Sequence, residues 1–379
     1  MTETDQAPAM EPGVGVRLSL MMFLQYAIWG AWLPILYPYL TGHVGLELDQ
    51  VGSIFAVGAV GAILAPFVAG QIADRWFATE RFLGLSHLVG AALVWQLASI
   101  ETYSGFLWFS LAYSLVYSPT LSLTNSLAFH HIPDRDRDFG RVRVWGTVGW
   151  IAVSIAVGQW LKARHMLDLD LGRADAFRLS AMLGAAMGVF CFTLPHTPPA
   201  RGEETAALTV ALKKLFSKPL LARDFSGQLV RSNPLLALFL IAVPVSCIHQ
   251  FYFVHTSQFL TLIEGQAKAV MEFVTKIFGV GGGGLMAVGQ MSEILVLALV
   301  PVLAKTVARR TFLLVGLAAY ATRRLLFMNA DAVGVGGVVF GVALHGVCFG
   351  CFIFVAFMIV DEQTSGDVKA SAQSLFNLV

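Results

Sequence analysis

The chain has 379 residues, of which 56% are hydrophobic and 13% are charged, and its formal net charge is +1. A soluble domain would carry about 25% charged residues. The composition therefore excludes an ordinary soluble protein, and the balanced charge favours no nucleic-acid partner. The apolar residues come in blocks of about 20, the length of helix that crosses a ~30 Å hydrocarbon core. The sequence predicts an all-α polytopic membrane protein that lies in a lipid bilayer.

Ten apolar spans and the start of an eleventh follow one another along the chain. They cover residues 18–40, 50–73, 82–100, 104–130, 144–162, 177–195, 234–262, 279–304, 311–329 and 333–360, and the eleventh begins after Lys369. We expect a cytoplasmic N-terminal tail (1–17), a six-helix half (18–195), a cytoplasmic linker (196–233) and an incomplete second half (234–379). Two six-helix halves are typical of transporters that bind substrate between repeats near the midplane. Measured against twelve spans, the sequence is interpreted as a fragment.

Most lysines and arginines fall in every second connection and in the linker. Because cytoplasmic loops carry the excess of positive charge, this pattern predicts a multi-pass protein of the cytoplasmic (inner) membrane with a cytoplasmic N-terminus. The second span ends in Gly70-x-x-x-Asp74-Arg75, which places an acid and a base where the helix leaves the membrane. We interpret these residues as a conformational latch that favours the inward-closed state. The alternative is flanking charge that only sets the orientation.

The fifth span opens with a cationic face. At helical spacing Arg143, Thr147 and Trp150 fall on one side of the helix. Gly146 and Gly149 leave the neighbouring surface without bulky side chains. A cation close to lipid costs roughly 2.5–3.5 kcal/mol unless it faces water, a partner or a ligand. We therefore predict that this face meets an anion, a carbonyl or a carboxylate.

The eighth span carries an amide and a carboxyl, Gln290 and Glu293, on one helical face. Desolvation should keep an unpaired intramembrane carboxyl protonated at neutral pH until water or a cation arrives, which is what a proton-coupling group must do. Glu293 is therefore the predicted proton-coupling residue. The alternative is a structural carboxyl bonded to a neighbouring helix.

The seventh and tenth spans add hydrogen-bonding and stacking groups. Gln250 offers a donor and an acceptor to a base edge or a sugar hydroxyl, although a buried glutamine can also serve only as interhelical glue. His345 and Phe349 share a face at i, i+4, which suits one hydrogen bond and one stacking surface. A core role is the alternative for Phe349. His249 and His255 have no partner evident in the sequence and are left out of the predicted site.

No cofactor, metal site or enzymatic centre is predicted. Cys348 and Cys351 form a Cys-x-x-Cys pair but lack a second ligand pair. The glycine run at 281–284 is not followed by the Gly-Lys-Ser/Thr of a phosphate loop. Because no nucleophile–base pair is evident either, the sequence favours a transporter over a membrane enzyme.

Several segments together resemble the nucleoside:proton symporter family of the major facilitator superfamily. They are Phe23-Leu-Gln25-x-x-x-Trp29-Gly30-x-Trp32, Gly70-x-x-Ala-Asp74-Arg75-Trp76, Tyr117-x-Pro119-Thr120-x-x-Leu123-x-Asn125, Arg143-x-Trp145-Gly146-Thr147-x-Gly149, Leu194-Pro-His196-x-Pro198, Gln290-x-Ser292-Glu293 and Ala370-Ser-Ala-Gln373. The resemblance runs from Phe23 to the last residue. It implies the superfamily fold, here with about ten complete transmembrane helices and the start of an eleventh, and proton-coupled nucleoside uptake by alternating access.

The resemblance also implies roles for individual residues. Residues of spans five, seven, eight and ten form the family's nucleoside site, and the positions that match are Arg143, Thr147, Trp150, Gln250, Gln290, His345 and Phe349, with Glu293 matching the span-eight glutamate. His345 stands where the family has a tyrosine. Gly350 and Phe253 stand where bacterial members can carry an aspartate and an asparagine. The missing acid leaves Glu293 as the proton site.

Two other functions stay open at this point. A sugar:proton symporter is the nearer alternative, because ribose hydroxyls and hexoses call for similar amide and aromatic groups. A transport-inactive membrane sensor or receptor is the other, and it would bind a ligand without flux. The expected partners are a nucleoside and H⁺, and the expected state is a monomer.

Overall fold

The computed structural model describes residues 8–73, 77–164, 169–198, 220–223, 229–232, 234–264, 272, 275–276, 279, 282–304, 306–363 and 376. The first half contains α1 (Pro12–Pro38, continued by a π-helical turn, Tyr39–His43), α2 (Leu48–Ala73), α3 (Thr79–Leu97), α4 (Tyr103–His131), α5 (Arg135–Arg164) and α6 (Leu169–Cys191). In the linker, β1 (Leu220–Arg223) pairs antiparallel with β2 (Leu229–Ser232), a hairpin that the sequence analysis did not predict.

The described part of the second half contains four long helical elements. They are α7 (Pro234–Glu264), α8 (Gly282–Leu303), α9 (Arg309–Met328) and a last element made of α10 (Ala330–Cys348), a π-helical turn (Phe349–Phe354) and α11 (Val355–Gln363). Seven helices in the described part of the chain are long and apolar enough to cross a membrane by composition alone. The helical membrane-protein fold is therefore confirmed, with a helix at each of the ten predicted spans.

Several helices begin earlier than their apolar spans. α1 begins at Pro12 rather than at 18, and α5 begins at Arg135 rather than at 144. Proline suits the first helical position, because its fixed φ is already helical and its missing N–H would have no partner there. An apolar window reports only the part of a helix that lies in lipid, whereas polar turns can continue the same backbone hydrogen bonds into water.

Glycines allow the helices that form the site to pack closely against one another. A Cβ on Gly30 would lie 2.7 Å from the Trp150 carbonyl oxygen, and one on Gly149 would lie 2.2 Å from the Phe23 carbonyl oxygen, so α1 and α5 meet backbone to backbone. In the second half, a Cβ on Gly346 would lie 2.3 Å from the carbonyl carbon of Ser292, which brings α8 against α10. Small residues permit such contacts in membranes, where packing rather than hydrophobicity drives helix association.

Candidate functional site

A hydrogen bond between the two halves marks the centre of the site. Thr147 on α5 donates from Oγ1 to Oε1 of Glu293 on α8 at 3.2 Å, and both residues are buried. The other carboxyl oxygen lies 3.6 Å from Nε2 of His345 on α10. Glu293 therefore lies between a hydroxyl of the first half and an imidazole of the second.

Ser292 fixes the helix that carries the carboxyl. Its hydroxyl lies 2.7 Å from the Gly289 carbonyl oxygen and 2.5 Å from the Ala343 carbonyl oxygen, to which it donates. The same oxygen accepts the Gly346 backbone N–H at 3.0 Å. These hydrogen bonds join α8 to α10 at the residue before Glu293. They fix the position of the Glu293 carboxyl along α8 relative to His345 on α10.

His345 lies between two rings of α7. Its imidazole stacks on His249 (centroids 5.2 Å apart, 18° between planes) and on Tyr252 (4.9 Å, 15°). Phe253 approaches it edge-on at 5.5 Å. The sequence analysis left His249 out, yet this ring contacts His345, Phe349 and Tyr320.

Gln290 keeps unused hydrogen-bonding capacity. Its Nε2 lies 3.5 Å from His345 Nε2, and its buried Oε1 has no hydrogen-bond partner among the described residues. Rotating the amide by half a turn would give Oε1 a contact and leave the NH₂ group free instead. In either orientation one polar end of Gln290 is open to a ligand.

Arg323 on α9 is the site residue that the sequence analysis missed. It is fully buried, and its Nη1 lies 3.3 Å from Nδ1 of His345. Its guanidinium carbon lies 4.2 Å from the centroid of the Tyr252 ring and 5.1 Å from that of Tyr320. A basic pair, Arg323-Arg324, inside the predicted span 311–329 was the available signal, since the argument made for Arg143 applies equally to it.

The predicted face of α5 does reach the boundary between the halves. The Arg143 guanidinium lies over the Tyr26 ring at 4.1 Å and is close enough to Glu293 for an electrostatic interaction. Trp150 contacts Trp29 edge-on at 6.3 Å on its own side and Phe253 at 6.2 Å on the other. Thr147, rather than the arginine, makes the direct bond to Glu293.

The remaining predicted residues are placed less centrally. Gln250 is exposed on α7, one turn before Phe253, and Phe349 is half-buried with its ring 6.1 Å from His249. Of the predicted latch, Asp74 and Arg75 lie outside the described residues, and for Gly70 only the helical backbone is described.

The halves also meet at the end of α5 that is remote from Arg135. A Cβ on Gly279 would lie 1.9 Å from the carbonyl carbon of Gly158, and Gly279 has a φ of +85°. Gln159 donates to the Lys276 carbonyl at 3.1 Å, and Lys162 donates to the Thr275 carbonyl at 3.4 Å. The helix rises about 16 Å from Thr147 to Gly158. This second contact between the halves is therefore well separated from the bond between Thr147 and Glu293.

A second buried polar network lies wholly within the first half. Gln25 Nε2 donates to Thr120 Oγ1 at 2.8 Å, and its Oε1 lies 2.9 Å from Nε2 of His87. The Tyr117 hydroxyl donates to the Gln25 backbone carbonyl at 2.6 Å. These bonds join α1, α3 and α4.

Comparison with known proteins identifies the family. The sequence profile of the nucleoside H⁺ symporter family matches residues 12–379. The chain is 33% identical to YegT of Escherichia coli over 371 residues, which covers 96% of this chain and 80% of YegT. It is 27% identical to the xanthosine permease of Escherichia coli over 370 residues, which covers 96% of this chain and 83% of the permease.

Solved structures show the same fold. The crystal structure of the nucleoside transporter NupG superposes with a TM-score of 0.73 at 22% identity, covering 96% of this chain and 86% of that one. A bacterial homologue of the lysosomal transporter Spinster superposes with a TM-score of 0.67 at 14% identity, covering 97% and 78%. The chain therefore belongs to the nucleoside H⁺ symporter family, with the major facilitator superfamily fold, and it is a transporter rather than an enzyme.

Proposed function

We propose that the protein takes up nucleosides together with protons across the cytoplasmic membrane by alternating access. The observation that carries the proposal is the position of Glu293, a buried carboxyl bonded to Thr147 of the first half and facing His345 of the second. An ionised carboxylate only accepts hydrogen bonds, whereas a protonated one also donates. Gain or loss of one proton therefore changes the bonds that hold the halves together.

The nucleoside is assigned to the groups around this carboxyl. Open hydrogen-bonding capacity on Gln290, the exposed amide of Gln250 and the Arg143 guanidinium suit base edges and ribose hydroxyls. Trp150 and Phe349 supply aromatic faces, and stacking of a base on such a ring is worth roughly 1–3 kcal/mol. His345 completes the set from α10. Protonated Glu293 and bound nucleoside would be carried inward together and released there.

The membrane potential can drive this cycle. One elementary charge moving through 100 mV yields about 2.3 kcal/mol, which corresponds to roughly 50-fold accumulation at about 1.4 kcal/mol per decade. The test is uptake of labelled uridine and adenosine by proteoliposomes under an inside-alkaline pH gradient. We expect accumulation that a protonophore abolishes and that unlabelled nucleosides, but not hexoses, compete. Competition by hexoses would favour a sugar symporter, and binding without flux would favour a receptor.

The orientation is part of the same proposal. We infer that the N-terminus, the linker (196–233) and the latch segment around Asp74 face the cytoplasm, because lysine and arginine concentrate there. The contact between Gly158 and Gly279 would then close the outer side. Labelling of single cysteines at Lys213 and Lys276 with an impermeant maleimide in intact cells tests this: only the cysteine at 276 should react.

A further inference from the structure

Arg323 is a buried cation whose role the nucleoside site does not explain. It is fully buried and is packed against the rings of Tyr252 and Tyr320. No carboxylate pairs with it among the described residues, and its Nε and Nη2 have no hydrogen-bond partner there. A buried charge without a carboxylate partner is costly. Among the described residues its one polar contact is to His345 Nδ1, and this contact therefore points to its role.

That contact fixes the position of a proton. A guanidinium has only donors, so the Nδ1 atom of His345 must accept from Arg323 Nη1 at 3.3 Å. A neutral imidazole that accepts at Nδ1 carries its hydrogen on Nε2. Nε2 is the atom that lies 3.6 Å from the Glu293 carboxyl and 3.5 Å from the Gln290 amide, which must then turn Oε1 rather than its NH₂ group toward the ring. The ring is thus held with a donor facing the carboxyl.

From this geometry we propose that Arg323 is a positioning residue for the proton step. It holds His345 in the tautomer whose Nε2–H faces the Glu293 carboxyl, an arrangement that suits an acceptor at that position. The inference rests on the proposed function, because it assumes that Glu293 takes up and releases the transported proton. It adds a residue outside the nucleoside site that decides how readily the proton leaves.

Other groups face Glu293 from the helices packed around it. They are Arg143 on α5, Tyr252 on α7, Tyr320 on α9 and His345 on α10. Tyr26 contacts Arg143, and His249 stacks on His345. Arg143 carries a fixed charge but belongs to the other half, whereas Arg323 shares its half with the carboxyl and can hold His345 throughout the cycle.

This role should matter for accumulation of nucleoside against a gradient but not for exchange of nucleoside across the membrane. Exchange of nucleoside across the membrane needs no proton release, because the carboxyl can stay protonated throughout. Accumulation requires the proton to leave on the inner side, and a His345 held with Nε2–H toward the carboxyl assists that step. Removing Arg323 should therefore impair accumulation and spare exchange.

The experiment compares Arg323→Met with Arg324→Met in proteoliposomes. Arg324 is a matched control, since it lies on the same helix but donates to the Ile248 carbonyl and packs on Phe251, away from His345. We expect Arg323→Met to keep uridine counterflow within about twofold and to lose about tenfold in pH-driven accumulation. The midpoint of pH-dependent uridine binding should rise by about one unit, because His345 without Arg323 can turn an acceptor toward the carboxyl and so favour its protonated form. Arg324→Met should change neither.

Three further variants separate positioning from packing. Arg323→Lys keeps a cationic donor for Nδ1 of His345 and should return the midpoint most of the way to the unmodified value. His345→Phe keeps a ring between His249 and Tyr252 but removes both nitrogens, and it should raise the midpoint as Arg323→Met does. The double variant should show no further rise, because both changes break one chain of contacts. If Arg323→Met does not fold, Arg323→Lys and His345→Phe still supply the comparison.

The outcomes are distinct. An unchanged pH midpoint in Arg323→Met, or an equal shift in Arg324→Met, would overturn the role of Arg323 while leaving nucleoside transport intact. A protein without any uridine or adenosine counterflow would instead overturn the proposed function.

Discussion

Two buried glutamines, one in each half, have opposite surroundings. Gln25 uses both ends of its amide, on Thr120 and on His87, inside a network confined to the first half. Gln290 has one contact of 3.5 Å to His345 and a carbonyl oxygen without a partner among the described residues. Both are buried, so neither can rely on bulk water. A satisfied buried network rigidifies a structure, whereas open capacity is costly and marks a place for a ligand.

The difference assigns different work to the two halves. Around Gln25, hydrogen bonds join α1, α3 and α4. Around Gln290, the open amide group and Glu293 would, under the proposed function, respond to substrate and proton. The following substitutions test this difference between the halves.

The largest effect is expected from Glu293→Gln. The amide keeps an acceptor for Thr147 but cannot release a proton, so accumulation of uridine should fall at least about 100-fold while counterflow persists. Transport into proteoliposomes with and without a pH gradient measures both. Glu47→Gln, an exposed carboxylate, is the control and should behave as the unmodified protein. Gradient-driven accumulation by Glu293→Gln would contradict the assignment.

The second effect compares Gln290→Leu with Gln25→Leu. Loss of Gln290 should weaken nucleoside binding by about tenfold to 100-fold with little change in thermal stability, since its contact to His345 is long, at 3.5 Å. Loss of Gln25 leaves His87 without this partner and Thr120 with only its bond to the Tyr117 carbonyl, so it should lower the free energy of unfolding by about 1–3 kcal/mol with affinity unchanged. Binding assays and thermal melts of both variants measure affinity and stability. The proposed difference between the two glutamines is wrong if both variants lose affinity alone or both lose stability alone.

A third prediction concerns the position where family members can carry an acid. A Cβ on Gly350 would lie 2.5 Å from Cγ1 of Val296, so α8 and the π-helical turn after α10 pack too closely for a side chain. Gly350→Asp should lower stability by about 1–3 kcal/mol through overpacking. Gly350→Ala should do nearly the same, whereas adding Val296→Ala to Gly350→Asp should restore stability. A loss of stability in Gly350→Asp but not in Gly350→Ala would show that the charge, rather than the lack of space beside Val296, matters.

The smallest effect is expected at Trp150. Its ring contacts Trp29 and Phe253 edge-on, and phenylalanine can keep part of both contacts. Trp150→Phe should change uridine affinity by at most about threefold, and Trp150→Ala by about tenfold. Isothermal titration of both variants checks the order. Equal losses would mean that the indole N–H, rather than the aromatic face, contacts the ligand.

The sequence predicted the fold, but it could not predict which of the candidate site residues contact one another. Apolar blocks gave ten spans, because helix length in lipid is fixed by the bilayer. Spacing placed Thr147 with Arg143 on one face, but only the packing of α5 against α8 shows that the threonine bonds Glu293. Arg323 was missed because a cation inside an otherwise apolar span was taken for part of the span. The π-helical turn at Phe349–Phe354 has no signature in a 3.6-residue period.

The close approach of Gly158 and Gly279 gives this protein an unusual sensitivity to a single methyl group. At Gly279 there is no room for a Cβ, and its positive φ strains any other residue. An alanine there would prevent closure of that side without touching the nucleoside site. The protein would then bind substrate but fail to move it. Such a variant would give access to the opposite conformational state as a stable species for structure determination and for selecting binders specific to it.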